Sequence, residues 1–519
     1  MAEVGLAAVA TVDLALKYGK QLVQLCSDFQ HADEEVRERK KKIKSTWVRT
    51  EKQIDFLGKI WNSLDVELQN HQSELLDELV SKLDAATKQI MRVRRKTVDD
   101  EGAAKVNRMK YAAIKGSIDK AIDELKEWQR DFDPGWFLTM KIAQPVIDRE
   151  LAEASNSDSA TPIKENKSAM DTISTARNVR KYMSSNVEEK LEIFRKHDNA
   201  TELEPIPYSA ARTLQRTGKG GSRSYIVDTV PCLEGVNVDI LTKDVRELAR
   251  KLSVADPFTF GLLQCRGVVK IYGTEGRKPT AFDFIFQIPS ELHSPRSLRA
   301  TLLNSGTDAS LTSRVQIARQ LAQSVSYVHT YGFVHKNIRP DTILVLQDTS
   351  TELAASFLLG FERFRNVDRR TLMMGDSVWN KDLYRHPQRQ GLNPEEEYVM
   401  QHDIYSLGVC LLEIGLWQSF FLIMQTEEAT PTGWLPKNIL EDSLDKAACV
   451  KEHFVELAQD RLPAKMGEIY TRVVVTCLTC LDKDNVDFGD AEELEDEDGV
   501  LVGVRFIEKI LRHLNSISV

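Results

Sequence analysis

The first proline of this 519-residue chain is Pro134. Proline lacks an amide donor and clashes with a helix interior, so so long a stretch without one is free to be helical throughout. The apolar residues agree. Trp47, Ile54, Leu57 and Trp61 fall at i, i+7, i+10 and i+14, a single stripe down one helix face. Leu75, Leu76, Leu79, Leu83, Ile90 and Met91 repeat the pattern, as do Met109, Ala112, Ala113, Ile118, Ile122 and Leu125. Four helices are predicted, near 4–28, 32–63, 67–96 and 103–131. The short turns between them make neighbours antiparallel and the whole a helical bundle. "DPGWFLTM" (133–140) is expected to end it.

Beyond the bundle, "EASNSDSATPIKENKS" (153–168) reads as a polar linker. A bracing helix, about 167–196, follows with Met170, Ile173, Ala176, Val179 and Met183 as its stripe. From Leu203 the period changes. "RSYIVDTV" and "AFDFIFQIP" read as strands, with a helical "DVRELARKLSVA" between them, and helices dominate again after residue 312. The predicted domains are a bundle over 1–140, a linker and bracing helix over 141–202, and a strand-then-helix domain over 203–519. The fold class is α+β multidomain.

The decisive motif is "YVHTYGFVHKNIRPDTIL", ending at Leu344. It resembles the catalytic loop of protein kinases, H-R-D-L-K-P-E-N, residue for residue in spacing. Other pieces of that fold follow in order. "DVRELARKL" resembles helix αC, with Glu247 the candidate ion-pairing glutamate, and "GVVKIYG" and "FIFQIP" resemble the strands after it. "SFLLGFERF" stands where D-F-G belongs, and "YRHPQ" resembles the end of the activation segment, with His386-Pro387-Gln388 in place of A-P-E. "HDIYSLGVCLLEI" resembles helix αF, and Asp403 matches its buried aspartate.

The chemistry is another matter. Phosphoryl transfer needs a base, two metal ligands and a lysine on the phosphates. Asn337 takes the base position, and an amide accepts no proton at neutral pH. Thr342 replaces the metal-binding Asn, and Gly360 replaces the D-F-G aspartate ahead of Phe361. Arg339 can stand in for the catalytic-loop lysine, but "SYIVDTV" offers no phosphate-pairing lysine, its charged residue being Asp228. Gly218, Gly220 and Gly221 are the candidate phosphate-cradling loop, and a plain surface turn explains them equally well. Glu362, with Arg363 and Arg365 beside it, reads as a surface ion pair rather than a displaced metal carboxylate. The framework positions His335, Pro340, Phe361, Pro387 and Asp403 persist. A kinase fold without kinase chemistry is the expectation. No metal and no certain cofactor are expected, ATP without magnesium being the one nucleotide state left open.

A helical bundle ahead of such a domain resembles the mixed-lineage kinase domain-like pseudokinases of necroptosis. "MAEVGLAAVATVDLALKYGKQLVQLCSDF" and "KSTWVRTEKQIDFLGKIW" resemble fungal HeLo domains of HET-S-type cell-death and heterokaryon-incompatibility proteins. That resemblance implies a bundle that self-oligomerises on release and disturbs a membrane through its N-terminal segment. Val4, Leu6, Val9, Val12, Leu14 and Leu16 would form that segment. It further implies an upstream activating protein acting through the pseudokinase domain, and recruitment from the cytoplasm to the plasma membrane. An active atypical protein kinase and a scaffold are the competing readings.

Charge excludes one class. Residues 1–150 carry 26 basic and 26 acidic side chains, so no basic face for nucleic acid is expected. The block 482–498 holds ten acids and one lysine, matching the net charge of -9, and is expected to be a disordered surface loop. Seven cysteines suggest no disulfide framework, and Cys477-x-x-Cys480 reads as core rather than zinc.

Overall fold

The computed structural model describes residues 2–28, 34–98, 104–142, 144–157, 167–183, 194–195, 203–218, 221–233, 235–273, 276, 278–304, 309–348, 354–366, 378–391, 397–423, 428–436, 446–488 and 499–519. The chain divides into two compact units, Met1–Lys181 and Tyr182–Val519.

The first unit is helical: α1 (Ala2–Ser27), α2 (Glu34–Ile60), α3 (Val66–Val98), α4 (Ala104–Leu138), α5 (Pro145–Ser157) and α6 (Lys167–Met183). The predicted stripes supply most of its core, but Met91, Ala112 and Ala113 are exposed. Trp47, Ile54, Leu57, Leu75, Leu79, Leu83, Ile118, Ile122 and Leu125 are all buried. One expectation fails at Pro134, which does not end the helix: α4 runs through it to Leu138. The lost backbone bond is offset by packing. Trp136 and Phe137 are fully buried, with Trp136 edge-on to Phe56 at 5.8 Å, and Asp133 accepts from Arg49 and from Gln53 Nε2 (2.9 Å). A second difference is α5, which runs into the expected linker as far as Ser157; Pro145 opens it, and Ile147 and Leu151 are buried. The bracing helix is present over Lys167–Met183; 184–193 lie outside the described residues, and Phe194–Arg195, expected to be helical, is a strand. Arg180 of the bracing helix donates to Met140 O (2.9 Å), Ile142 O (2.5 Å) and Asp148, which fastens α6 to the bundle's end.

The second unit opens with β1 (Phe194–Arg195), β2 (Leu203–Pro205), β3 (Arg212–Gly218), β4 (Gly221–Pro231), α7 (Val238–Ser253), α8 (Pro257–Phe260), β5 (Gln264–Tyr272) and β6 (Pro279–Gln287). The strands form one sheet in the order β1-β5-β6-β4-β3-β2. Both predicted strands and the predicted helix are present, the helix capped by Asn237, whose side chain accepts from Asp239 N and Ile240 N. Next come β7 (Leu292–Ser297), α9 (Leu298–Leu303), α10 (Leu311–Thr330), β8 (Phe333–Val334), β9 (Ile343–Asp348), β10 (Ala354–Leu358), β11 (Arg365–Asn366) and α11 (Trp379–Asp382). The chain finishes with α12 (Met400–Leu416), β12 (Phe421–Ile423), β13 (Ala429–Pro431), α13 (Lys446–Leu478), α14 (Val500–Phe506) and α15 (Arg512–Ser516). Every residue of α12 is buried, as its nearly all-round apolar sequence requires.

The acidic block departs from expectation at its start. Asp482 pairs with Lys451, Asp487 accepts from Thr476 (2.9 Å) and Phe488 is buried, so 482–488 pack on the helical subdomain. Residues 489–498 lie outside the described residues. Cys477 and Cys480 are buried, and no cluster of metal-ligating side chains occurs among the described residues.

Candidate functional site

Three segments converge at one cleft: the loop after β8, the turn after β10, and β4. The loop is held from beneath by α12. Asp403, fully buried, accepts from His335 N (2.7 Å), Lys336 N (2.9 Å) and Tyr398 Oη (2.7 Å), and lies 3.1 Å from His329 Nε2. Burial opposes its charge, yet the hydrogen bond and charge of His329, with His335 and Tyr398, hold its carboxyl below the usual range. Those contacts also fix Lys336 at φ 63, a left-handed backbone that a side chain resists. His335 packs its ring 4.8 Å from Phe361, and burial pushes its imidazole down to about 4, so it is a neutral framework residue. Pro340 opens the short turn Pro340–Thr342, and Pro387 opens Pro387–Arg389 behind His386.

The side chains at the chemical positions are bound to one another. Asn337 Nδ2 donates to Gly360 O (3.0 Å) and Glu362 Oε1 (3.1 Å), and its Oδ1 accepts from Arg339 Nε (3.0 Å). Arg339 also stands 3.8 Å from Glu362 and 4.0 Å from Asp341. Thr342 Oγ1 lies 2.8 Å from Asn337 O and 2.9 Å from Arg339 O, bracing the loop instead of facing a metal. Glu362 therefore pairs across the cleft with Arg339; the side chains of Arg363 and Arg365 lie outside the described residues.

Gly360 has φ 81, and a Cβ there would stand 2.3 Å from Thr342 Cγ2. An aspartate does not fit that position. Asp228 stands opposite. Its Oδ2 accepts from Gly360 N (2.9 Å) and Phe361 N (3.2 Å), and burial raises its carboxyl to about 6. β4 precedes α7 and pairs with β6, the strand place where a kinase carries its phosphate-pairing lysine, so the charge there is reversed. Glu247 accepts from Lys251 of its own helix at 2.9 Å, and Lys251 also donates to Tyr331 O at 2.7 Å.

The glycine cluster is elsewhere. Gly218 and Gly221 pair across the β3–β4 hairpin, and Gly220 lies outside the described residues. The turn that lines the cleft is Ser209–Ala211, between β2 and β3, without glycine. Of the two readings of the glycines, the hairpin turn is the one the Gly218–Gly221 pairing fits. The cavity enclosed measures about 20 Å³, room for a single water.

Sequence reasoning missed Arg299. It is fully buried on α9 and donates to Glu413 (2.8 Å), Ser419 (2.6 Å) and Tyr384 (2.5 Å), tying α12 to the end of the activation segment. The available signal was Glu413 itself, a lone acid in "LGVCLLEIGLW" that needs a buried cation.

Residues 236–419 match the family model described as protein tyrosine and serine/threonine kinase. The chain carries a protein-kinase-like domain. The match begins just before α7 and ends just after α12, which covers the degenerate loop but not the helical unit. Among similar proteins is a probable serine/threonine-protein kinase of Dictyostelium discoideum, 24% identical over 169 residues, 33% of this chain and 17% of that protein. A serine/threonine-protein kinase-like protein of Arabidopsis thaliana is 30% identical over 124 residues, 24% of this chain and 34% of that one. The mouse (Mus musculus) eukaryotic translation initiation factor 2-alpha kinase 1 is 28% identical over 162 residues, 28% and 23% of the two chains. The matched part thus spans between 17% and 34% of these relatives.

Proposed function

We propose that the kinase-like domain is a pseudokinase, a signal-responsive regulator without phosphoryl transfer, and that it controls a membrane-active, cell-death-inducing helical bundle. The observation that carries the first half is Gly360: Thr342 stands where the side chain of an aspartate would begin, which supports the absence of a magnesium carboxylate there. The engagement of Asn337 by Arg339 and Glu362 supports the same reading. Purified full-length protein should show no magnesium-dependent thermal shift with ATP and no transfer of labelled phosphate. Transfer that disappears on Arg339→Ala would establish the atypical-kinase reading instead.

For the second half the support lies on α1. Ala8, Val12 and Ala15 face the bundle, while Val9 and Leu14 remain 43% and 37% exposed. The side chains of Val4 and Leu6 lie outside the described residues. Among the described residues no helix is long and apolar enough to cross a membrane. Membrane action would therefore be interfacial, with α1 laying its apolar residues among the headgroups once the bundle loosens. Residues 1–181 should leak dye from anionic liposomes and be toxic when expressed. Val9→Glu should abolish leakage, since it places a charge on the apolar face that an interfacial helix must bury at the headgroup–acyl boundary. Circular dichroism must show helicity retained. A folded fragment that binds no liposomes and harms no cells would favour the scaffold.

A further inference from the structure

We propose that Asp228 is a built-in anion that occupies the phosphate end of the cleft and keeps nucleotide out. The inference rests on the pseudokinase reading and goes further, because it names the residue that decides nucleotide exclusion.

The geometry is that of an anion site already filled. Gly360 at φ 81 leads directly into the short turn Phe361–Arg363, and the two successive N–H groups of Gly360 and Phe361 converge on one oxygen of Asp228. Successive amides arranged this way form a concavity suited to anions. In this chain the anion comes from β4, across the cleft. The surroundings add to the effect. Asp341 and Glu362 line the same cavity with Asp228, against the single cation Arg339 among its lining residues. Arg339 is itself shared between Asn337 Oδ1 and those two carboxylates. A triphosphate entering here would meet carboxylates first.

The cleft is closed over this arrangement by the turn Ser209–Ala211. Ala211 O accepts from Ile206 N at 3.2 Å, and Ser209 Oγ accepts from Ala211 N at 3.2 Å, so the turn is held by its own bonds. Burial and the neighbouring carboxylates Glu362 and Asp283 work against the ionised form of Asp228, and only the two amides support it. A buried carboxylate retained under those conditions points to a role outside packing.

The test uses the full chain with ATP in EDTA, so that binding is read apart from metal and from catalysis. Wild type, Asp228→Asn and Asp228→Lys are titrated by calorimetry, with melting curves as the control for folding. Asn keeps an acceptor for the Gly360 and Phe361 amides while removing the charge. The expected result is no measurable binding to wild type, detectable binding to D228N, and binding to D228K at least about tenfold tighter than to D228N, or about 1.4 kcal/mol. Should D228K fail to fold, D228N decides alone. Equal affinity in wild type and D228N overturns the proposal, and so does a folded D228N that binds no ATP. Phosphate transfer with magnesium by wild type would instead defeat the pseudokinase reading, a separate measurement.

Discussion

Replacing Asp403 by Asn tests whether the degenerate loop still depends on the brace beneath it. Four donors or donor-bearing groups surround this carboxylate: His335 N, Lys336 N, Tyr398 Oη and His329 Nε2, at 2.7, 2.9, 2.7 and 3.1 Å. An Asn side chain offers one oxygen and turns its NH2 toward the remaining donors. At least two buried donors then lose their acceptor, each at about 1–3 kcal/mol. Lys336 at φ 63 also loses a contact that holds its left-handed backbone in place. Together this amounts to about 3–6 kcal/mol, a large share of a domain's stability. At about 2 °C per kcal/mol for a large domain, the melting temperature of the kinase-like unit should fall by about 6–12 °C. Calorimetry of the full chain reads this directly. Tyr398→Phe alone should cost about 1 kcal/mol, and much less in the Asp403→Asn background, because the two side chains share one bond. A melting temperature unchanged by Asp403→Asn, or fully additive effects in the double mutant, would show that the brace does not work as described.

Three further outcomes follow from the same geometry. Asp228→Asn should stabilise the kinase-like unit by up to about 3 kcal/mol at pH 7, since its carboxyl lies near 6 folded against an ordinary 3.8. That gain should shrink as pH falls from 6 to 4, where the wild-type group takes up its proton, and a pH-independent difference would refute the assignment. Burial holds His335, His402 and His386 down to about 4, 4 and 3, so each is neutral when folded and protonated when unfolded between those values and pH 6.5. Stability should therefore fall on acidification below 6.5 by roughly 1.4 kcal/mol per histidine per pH unit, and melting curves that stay flat to pH 5 would contradict it. Restoring both carboxylates, Asn337→Asp with Gly360→Asp, should yield no phosphate transfer and a lower melting temperature, because the new side chain meets Thr342 at a left-handed backbone position; kinase activity in that double variant would overturn the steric argument.

Much of this architecture was readable along the chain because its signals are local. A stripe such as Trp47, Ile54, Leu57 and Trp61 marks a buried helix face wherever that helix lies, and all four side chains are buried. The resemblance to protein kinases around His335, Phe361 and Asp403 was carried by short contiguous motifs, and the structure has a loop, a turn and a supporting helix at those positions. The resemblance to the kinase catalytic loop also put Asn337 and Gly360 at the positions of the two carboxylates, a reading of motif alignment alone. Tertiary structure decided what depends on distant partners. The helix continues past Pro134 because aromatic packing outweighs one lost backbone bond. The turn over the cleft is Ser209–Ala211 because sheet order, a long-range property, puts β2 beside β3. Asp228 was visible only as a lysine that was missing. Its bonds to Gly360 and Phe361 join residues more than a hundred positions apart, and no local pattern of side chains encodes such a pairing.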